Sequence, residues 1–595
     1  MLKRVSWCAG ALLLGMAIAA APDADSAPPR QTLPSAEFLL ENWSGGLTSN
    51  AAFVPGPDSH AAHAPFRGTL SLSETEMILK PRKFTAPVLG RDPARFPGVS
   101  VSFFTLDGDL VPFTQDVIRY GSVARGSSYW DMIVQPGRIW SEAGDGDWSR
   151  AAFPFALVNS IEGETHNGLA TFLYKPGKIS NLRFQIVQQT APFLVKDYFF
   201  AAGLVRAAYA ALPPGAEEGL VPTYEASLAH RVPMADWSAL AARVGAAPLA
   251  GFDGPMPARD VVLSGLDYDG TFYLKECQSA GGPLPWCDRA RFGVWSVTKA
   301  LANETALLRL AEKFGPSVFD LKIADYVPEL AGHPGWEKVR FEDAIDMATG
   351  MGNGSAASSP NDISDGYLSS DYRPWYEARS AEEKLAALAA GAAVYSWGPG
   401  KVARYRDQDM FLLGVAMDRY LKSRAGPSAD IWSMLDKEVF EPIGIFYAPI
   451  NRTLESGGGA GQPLMAYGYY PTIGDMVKIA RLYQQGGKQG ETQILYAEGV
   501  AALFGAGAAP GLPTGEQLAF GETRYTNAFW VAPFRAGNCA VRYPRMIGWG
   551  GNIVALLPDG MTGIRLAKSA STSGTADVET AGMATVADRL KKFCR

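Results

Sequence analysis

The spacing of apolar positions changes character along the chain. From about residue 32 to 191 the apolar runs are short, as in 99–106, 133–139 and 182–187, and are broken by Asp107-Gly108, Pro136-Gly137 and Pro176-Gly177. Runs of strand length bounded by such dipeptides read as β-strands, so 32–191 is expected to be an all-β domain. Residues 192–260 are rich in Ala, Pro and Leu and read as a linking region, with a helix over about 197–212 ended by Pro213-Pro214. A strand, turn and strand follow over 261–274 around Asp269-Gly270, and helical periods then dominate to about 505. Strands return over 539–566, with Pro558-Asp559-Gly560 as a hairpin turn, and an amphipathic helix is expected over 577–592. Strands at both ends of 261–595 around a helical insert predict one antiparallel sheet flanked by helices. The fold class is therefore α+β, preceded by an all-β N-terminal domain.

The first residues carry a different pattern: Lys3 and Arg4, an apolar run from Val5 to about Ala17, then Ala19, Ala20 and Ala21. A basic start, a short apolar run and a small-residue zone read as a signal peptide over 1–21. An uncleaved anchor is the weaker alternative, because a span needs ~20 apolar residues. Cys8, preceded by Ser6 and Trp7, stands too early for lipid attachment. No later stretch reads as a membrane span, so the mature protein is expected to be periplasmic or secreted.

Composition narrows the classes. The chain has 595 residues, 47% hydrophobic and 19% charged, with 54 Lys and Arg against 60 Asp and Glu for a net charge of −6. That is ordinary globular composition for more than one domain, and without a run of basic residues nucleic acid is not an expected partner. Beyond the signal the cysteines are Cys277, Cys287, Cys539 and Cys594. They allow three pairings, and sequence alone does not choose; Cys277–Cys287, across a loop with Gly281, Gly282 and Pro283, together with Cys539–Cys594, is favoured over free buried thiols. The histidines (His60, His63, His166, His230, His333) form no HExxH and no CxxC pair occurs, so neither metal nor other cofactor is expected. Asp145 and Asp147 read as a turn rather than a calcium loop. Trp43, Trp130, Trp140 and Trp148 read as core residues, with a stacking platform for sugar or cell-wall polymer as the alternative.

The candidate chemistry begins at Ser296-Val297-Thr298-Lys299, at the head of a helical pattern that Gly315-Pro316 stops. Residues three apart share a helix face, so the amine reaches the hydroxyl, and a serine needs such an adjacent base to become a nucleophile. A chain this long holds about one Ser-x-x-Lys by chance, so the company of the motif matters. Downstream stand Gly398-Pro399-Gly400, Tyr405-Arg406-Asp407 before a helix, and Gly548-Trp549-Gly550-Gly551-Asn552 leading into a strand. A Ser, Asp, His triad would hang on His333 alone, which reads better as a surface residue, and no Gly-x-Ser-x-Gly elbow or P-loop is present.

In these motifs, in this order, the chain over about 260–595 resembles the serine hydrolases related to class C β-lactamases and penicillin-binding proteins, which include carboxylesterases and nylon-oligomer hydrolases. Residues 341–351 (FEDAIDMATGM) and 468–487 resemble two further helical regions of that family. The resemblance implies a β-lactamase/transpeptidase-like domain with Ser296 as acylated nucleophile and Lys299 with Tyr405 as proton-transfer pair. It further implies an oxyanion hole of the Ser296 and Asn552 backbone N–H groups, with Trp549-Gly550-Gly551 as third motif. Glycines at 550 and 551 would let substrate approach the strand backbone, or else serve a tight turn into it.

Two departures shape the expectation. Asp407 stands where the family usually has Asn; a carboxylate near Lys299 favours the ammonium and moves the work of a base to Tyr405. Trp549 stands where β-lactamases have Lys, as in some esterases of the group, which points toward neutral esters or amides unless Arg542 or Arg545 restores the charge. The expected function is an exported serine hydrolase acting without cofactor on a small-molecule or peptide-like ester or amide. The alternatives are a D-amino-acid peptidase or β-lactamase acting on cell-wall-like substrates, or a catalytically silent binding or sensor protein of the same fold. The oligomeric state is open.

Overall fold

The computed structural model describes residues 33–80, 90–122, 124–193, 198–354, 363, 369–505, 510–569 and 577–594. The signal expected at 1–21 lies outside the described residues.

Strands between Gly68 and Ala210 form one 12-stranded sheet. At its centre Ser149–Val158, His166–Lys175 and Leu182–Gln189 run antiparallel, with Leu169 between Pro154 and Gln185. Alternate side chains of these strands face two different cores. Ala170, Phe172, Phe184 and Ile186 join Phe66, Phe96, Phe103 and Phe153 in an aromatic core, where the Phe96 and Phe184 rings lie 4.2 Å apart. Leu169, Leu173 and Val187 face the other way, into the core of the helical region that follows. With both faces buried, the polar residues of these strands carry partners: Gln185 accepts from the Thr48 N–H at 3.0 Å and Arg183 donates to the Gly46 carbonyl at 2.6 Å.

The helix expected over 197–212 is absent from the described part of that segment: Phe200–Val205 and Ala207–Ala210 are strands of the first sheet, which therefore reaches past 191. Alanine favours a helix by less than about 1 kcal/mol per residue, and here small residues are wanted beside a large neighbour. Gly203 pairs with Phe184, and a Cβ on Gly203 would lie 2.4 Å from that ring. Helices of the 192–260 region come later, at Val221–Ala229 and Trp237–Val244. Trp130 and Trp140 are buried in the fold, while Trp43 and Trp148 lie under Arg183 and Lys175 at 4.0 and 4.7 Å. Asp145 receives two bonds from the buried Arg150 guanidinium, at 2.6 and 2.8 Å, as a turn residue.

The second sheet joins distant parts of the chain, as the strand pattern predicted. Val261–Tyr268 pairs antiparallel with Met561–Ala567, which continues through Asn552–Leu557, Cys539–Gly548, Phe529–Ala536, Gly521–Thr526 and Leu512–Leu518. Asp269-Gly270 and Pro558-Asp559-Gly560 turn two of its hairpins. One face, with Ile553, Ala555 and Leu557, packs on the helix Ala581–Leu590 through Met583 and Ala584. The other, with Val554, Leu556 and Ile564, packs on the helical region between the sheet's two halves. The fold is thus α+β, with helices on both faces of a sheet that is antiparallel except at its edge strand Met234–Asp236, which runs parallel to Thr271–Ser279. Disulfides join Cys277 to Cys287 and Cys539 to Cys594, the favoured pairing; such bonds typically stabilise by ~2–4 kcal/mol. Among the described residues no helix is long and apolar enough to cross a membrane.

Candidate active site

Ser296 lies where an extended segment turns into the helix that runs beneath the second sheet. Trp295 takes the left-handed conformation, φ 51°, at a cost of about 1–2 kcal/mol for a residue with a side chain. That bend brings Ser296 out: it is the one residue from 290 to 308 that is not buried. The next turn is tight, with Thr298 and Lys299 N–H groups bonding to the Trp295 and Ser296 carbonyls at 2.9 and 3.1 Å. It then widens into a π-helical turn, Lys299–Glu304, before the α-helix Thr305–Phe314. Such turns occur often at functional sites.

The widened turn aims Lys299 at the serine. Its buried Nζ donates to Ser296 Oγ at 2.6 Å and to the Ala466 carbonyl at 3.0 Å, and lies 2.6 Å from Asp407 Oδ1. An ammonium has three donors and no acceptor, so two hydrogen-bond acceptors and a carboxylate at these distances suit the charged form. Burial pushes the Lys299 pKa down, but Asp407 and Tyr405 outweigh it and the net shift is upward.

Tyr405 closes the group, with its hydroxyl interacting with both Ser296 and Lys299 and the Lys299 Nζ lying 4.9 Å from its ring centre. Trp530 and Tyr525 pack on the ring at 5.6 and 6.1 Å. Burial raises the Tyr405 pKa, Lys299 works against it, and Asp407 adds to it; the balance is upward. At neutral pH the Lys299–Tyr405 pair therefore holds both of its protons. Asp407 begins the helix Asp407–Ala425, and its other oxygen accepts from the Tyr372 hydroxyl at 3.4 Å.

The third motif lies at a hairpin turn. Trp549, Gly550 and Gly551 form the turn of a hairpin between Cys539–Gly548 and Asn552–Leu557. Gly550 and Gly551 have φ of 80° and 91°; Cβ atoms there would lie 2.2 Å from Ala191 Cβ and 2.7 Å from Met256 Cε. Both glycines therefore have the backbone that the turn requires and pack closely against Ala191 and Met256. The close approach to the Ser296 segment belongs to Gly548, where a Cβ would lie 2.1 Å from the Val294 oxygen and 3.2 Å from the Ser296 nitrogen. Asn552 stands opposite Gly548 and is buried, its side chain accepting from the Ala567 N–H at 3.0 Å and donating to the Trp549 carbonyl at 2.8 Å.

The two arginines considered as replacements for the missing lysine donate to backbone carbonyls. Arg545 is fully buried and donates to the Val578 carbonyl, and Arg542 donates to that of Glu522 at 3.3 Å. His333 is exposed. On one side an aromatic wall forms: Phe193 contacts Trp295, Tyr376 and Trp549 at 6.1, 5.5 and 5.4 Å. Beneath it the buried Lys384 donates to the Trp375 and Tyr376 carbonyls at 2.8 and 3.3 Å, and burial lowers its pKa to about 7. The sequence reading missed Tyr372 and the Ala466 carbonyl, and quoted Gly548 without giving it a role. Only Gly548, at the edge of the third motif, left a signal in the sequence. Among the described residues no group of three or more His, Cys, Asp or Glu side chains is arranged to hold a metal.

Neither a scan against protein-family models nor a search of curated proteins finds a match. Among solved structures the chain is similar to a protein described as a 6-aminohexanoate-dimer hydrolase from Bacillus anthracis, at 14% identity and TM-score 0.43 over 61% of this chain and 89% of that one. It is also similar to a penicillin-binding protein homologue from Caulobacter crescentus, at 14% identity and TM-score 0.38 over 58% and 97%. A family VIII carboxylesterase matches at 16% identity and TM-score 0.38 over the same shares, 58% and 97%. These are proteins of the kind that the motifs resemble. At TM-scores this low the likeness carries nothing about chemistry, which stands on the side chains described above.

Proposed function

We infer that the protein is a serine hydrolase that cleaves an ester or amide through an acyl-serine intermediate. The observation that carries this reading is the convergence of Lys299 and Tyr405 on the one accessible hydroxyl of a buried segment, Ser296. Lys299, held as an ammonium by Asp407, supplies positive charge; Tyr405, once ionised, accepts the Ser296 proton as Oγ bonds to the substrate carbonyl carbon. The oxyanion is met by the Ser296 N–H at the helix start and by a backbone N–H of the 548–552 hairpin. Gly548, which packs on the Val294–Ser296 backbone, and Asn552, its partner across the hairpin, support the Asn552 N–H as the second donor. Collapse expels the leaving group, to which Tyr405 returns the proton, and water then releases the acid by the same path.

A neutral substrate is supported by Trp549 at the place of the β-lactamase lysine and by the engagement of Arg542 and Arg545 elsewhere. Labelling with a fluorophosphonate followed by peptide mapping tests the nucleophile. Modification is expected on Ser296, and Ser296→Ala should lose hydrolysis of a short-chain p-nitrophenyl ester with its fold intact. No labelling at any pH, or a fully active folded variant, overturns the reading. Export belongs to the same proposal, supported by the paired cysteines and the leader-like pattern of 1–21. Thiol titration of the denatured mature protein should find no free thiol; four would overturn it.

A further inference from the structure

The first sheet contributes no group to the proton path, yet it holds the pieces of the site from behind. Thr165 Oγ1, at the start of a central strand, accepts the Gly293 N–H at 3.0 Å, and Asn167 Nδ2 donates to the Arg291 carbonyl at 2.9 Å. The indole N–H of Trp295, the left-handed residue before Ser296, donates to the Ala191 carbonyl at 2.8 Å, and that of Trp549 donates to Pro192 at 3.1 Å. Gly163 fits between two further parts: a Cβ there would lie 2.6 Å from the Tyr467 oxygen and 3.1 Å from the Trp295 ring. Tyr467 follows Ala466, the carbonyl that receives Lys299, and Asn451 reaches back to the Asn159 carbonyl at 2.7 Å. Thr165 is itself fixed by Thr190, whose Oγ1 accepts its N–H at 3.0 Å.

We propose that the segments 159–167 and 189–192 of the first sheet are a positioning device for Ser296, with Thr165 as its main positioning residue. The proposal rests on Ser296 being the nucleophile. Three separate stretches, 293–299, 465–470 and 548–552, must meet within ångströms for the chemistry, and each is tied to this same surface. A bend such as that at Trp295 persists only where its surroundings over-determine it; Thr165 on one side and Ala191 on the other do so. The N-terminal region is then part of the hydrolase rather than a separate binding module.

Thr165→Val keeps the shape of the side chain but removes the acceptor, leaving the Gly293 N–H buried without its partner. A misplacement of about 1 Å can cost roughly 10²-fold in rate. In folded full-length protein, Thr165→Val should lower kcat and the fluorophosphonate acylation rate about 10-fold or more, with KM within about 2-fold, and Thr165→Ser should restore both. Hydrogen exchange of peptides covering 290–300 should quicken in Thr165→Val and return in Thr165→Ser. An acylation rate within about 2-fold of wild type, or unchanged exchange over 290–300, overturns the proposal. If the wild-type protein is never acylated at Ser296, the hydrolase reading falls, and the exchange arm still decides whether this surface orders the segment. Should Thr165→Val not fold, Asn167→Ala, which removes the bond to Arg291, is read by the same measurements.

Discussion

Arg406 and Asp407 are neighbours at the start of one helix, and each completes a buried ion pair, but the two pairs do opposite things. Arg406 is fully buried, bonded to Asp371 at 2.7 Å, to Asp409 at 3.1 Å and to Ser369 at 2.6 Å. Asp409 in turn accepts from Thr349 at 2.7 Å, so the guanidinium ties the 347–351 turn, the 369–371 segment and the helix together. Asp407 points instead to Lys299, beside the half-buried hydroxyl of Ser296. The partners differ in kind as well. A guanidinium does not lose its proton in a protein and its planar fork suits two carboxylates, whereas an ammonium titrates when its surroundings change. A permanent charge suits the pair that holds the structure, and a charge that adjusts suits the pair beside the chemistry.

Removing the permanent charge should have the largest effect. Arg406→Met leaves Asp371 and Asp409 buried without their cation, a loss of ~3–5 kcal/mol by the usual cost of breaking a buried pair, against a total stability of about 5–15 kcal/mol. Urea unfolding should show this loss; a variant within about 1 kcal/mol of wild type would erase the distinction between the two pairs.

Tyr405→Phe comes next and should leave the fold alone. Loss of general base and acid typically costs ~10²–10⁴-fold in rate, so kcat/KM for an ester should fall by at least ~10² with the melting temperature nearly unchanged. A variant nearly as active as wild type would remove Tyr405 from the proton path.

The smallest effect, and the one that sharpens the comparison most, is expected of Asp407→Asn. Lys299 and Tyr405 both have raised pKa values, so together they lose their first proton only above neutrality, and kcat/KM of the wild type should rise with pH into the alkaline range. Interacting groups titrate as a pair. Taking away the negative charge of Asp407 makes that first loss easier whichever residue gives it up, so the acidic limb of the pH–rate profile should move to lower pH. The fold should stand, because Lys299 keeps Ser296 and Ala466 as acceptors and is free to lose its proton. An unmoved limb, or one moved to higher pH, would show that Asp407 does not set the charge of the pair.

Much of this was legible along the chain because it is local. Ser296 and Lys299 are three residues apart, and the helix start that joins them is readable from the positions around them. The hairpins at Asp269-Gly270 and Pro558-Asp559-Gly560 carry their own turn chemistry, and the helix Ile473–Gln484 carries its capping box at Thr472 and Asp475. The Lys299–Asp407 contact was legible at one remove, through motif order. The strands at 200–210 were not, because alanine-rich segments favour a helix until a sheet edge and a phenylalanine need small residues beside them.

Ser-x-x-Lys, Tyr405, Asp407, the cysteines and the split antiparallel sheet were thus determined by the residues themselves, through spacing, turn chemistry and period. Which glycine near the third motif packs on the serine's backbone, and which pack elsewhere, was decided by the close approach of Gly548 to Val294 and of Gly550 to Ala191. The support of the Ser296 segment by Thr165, more than a hundred residues away in the chain, was decided there too. Hydrogen bonds and close approaches of this kind act across space between residues of common types, and no pattern along a single chain records which of them will meet.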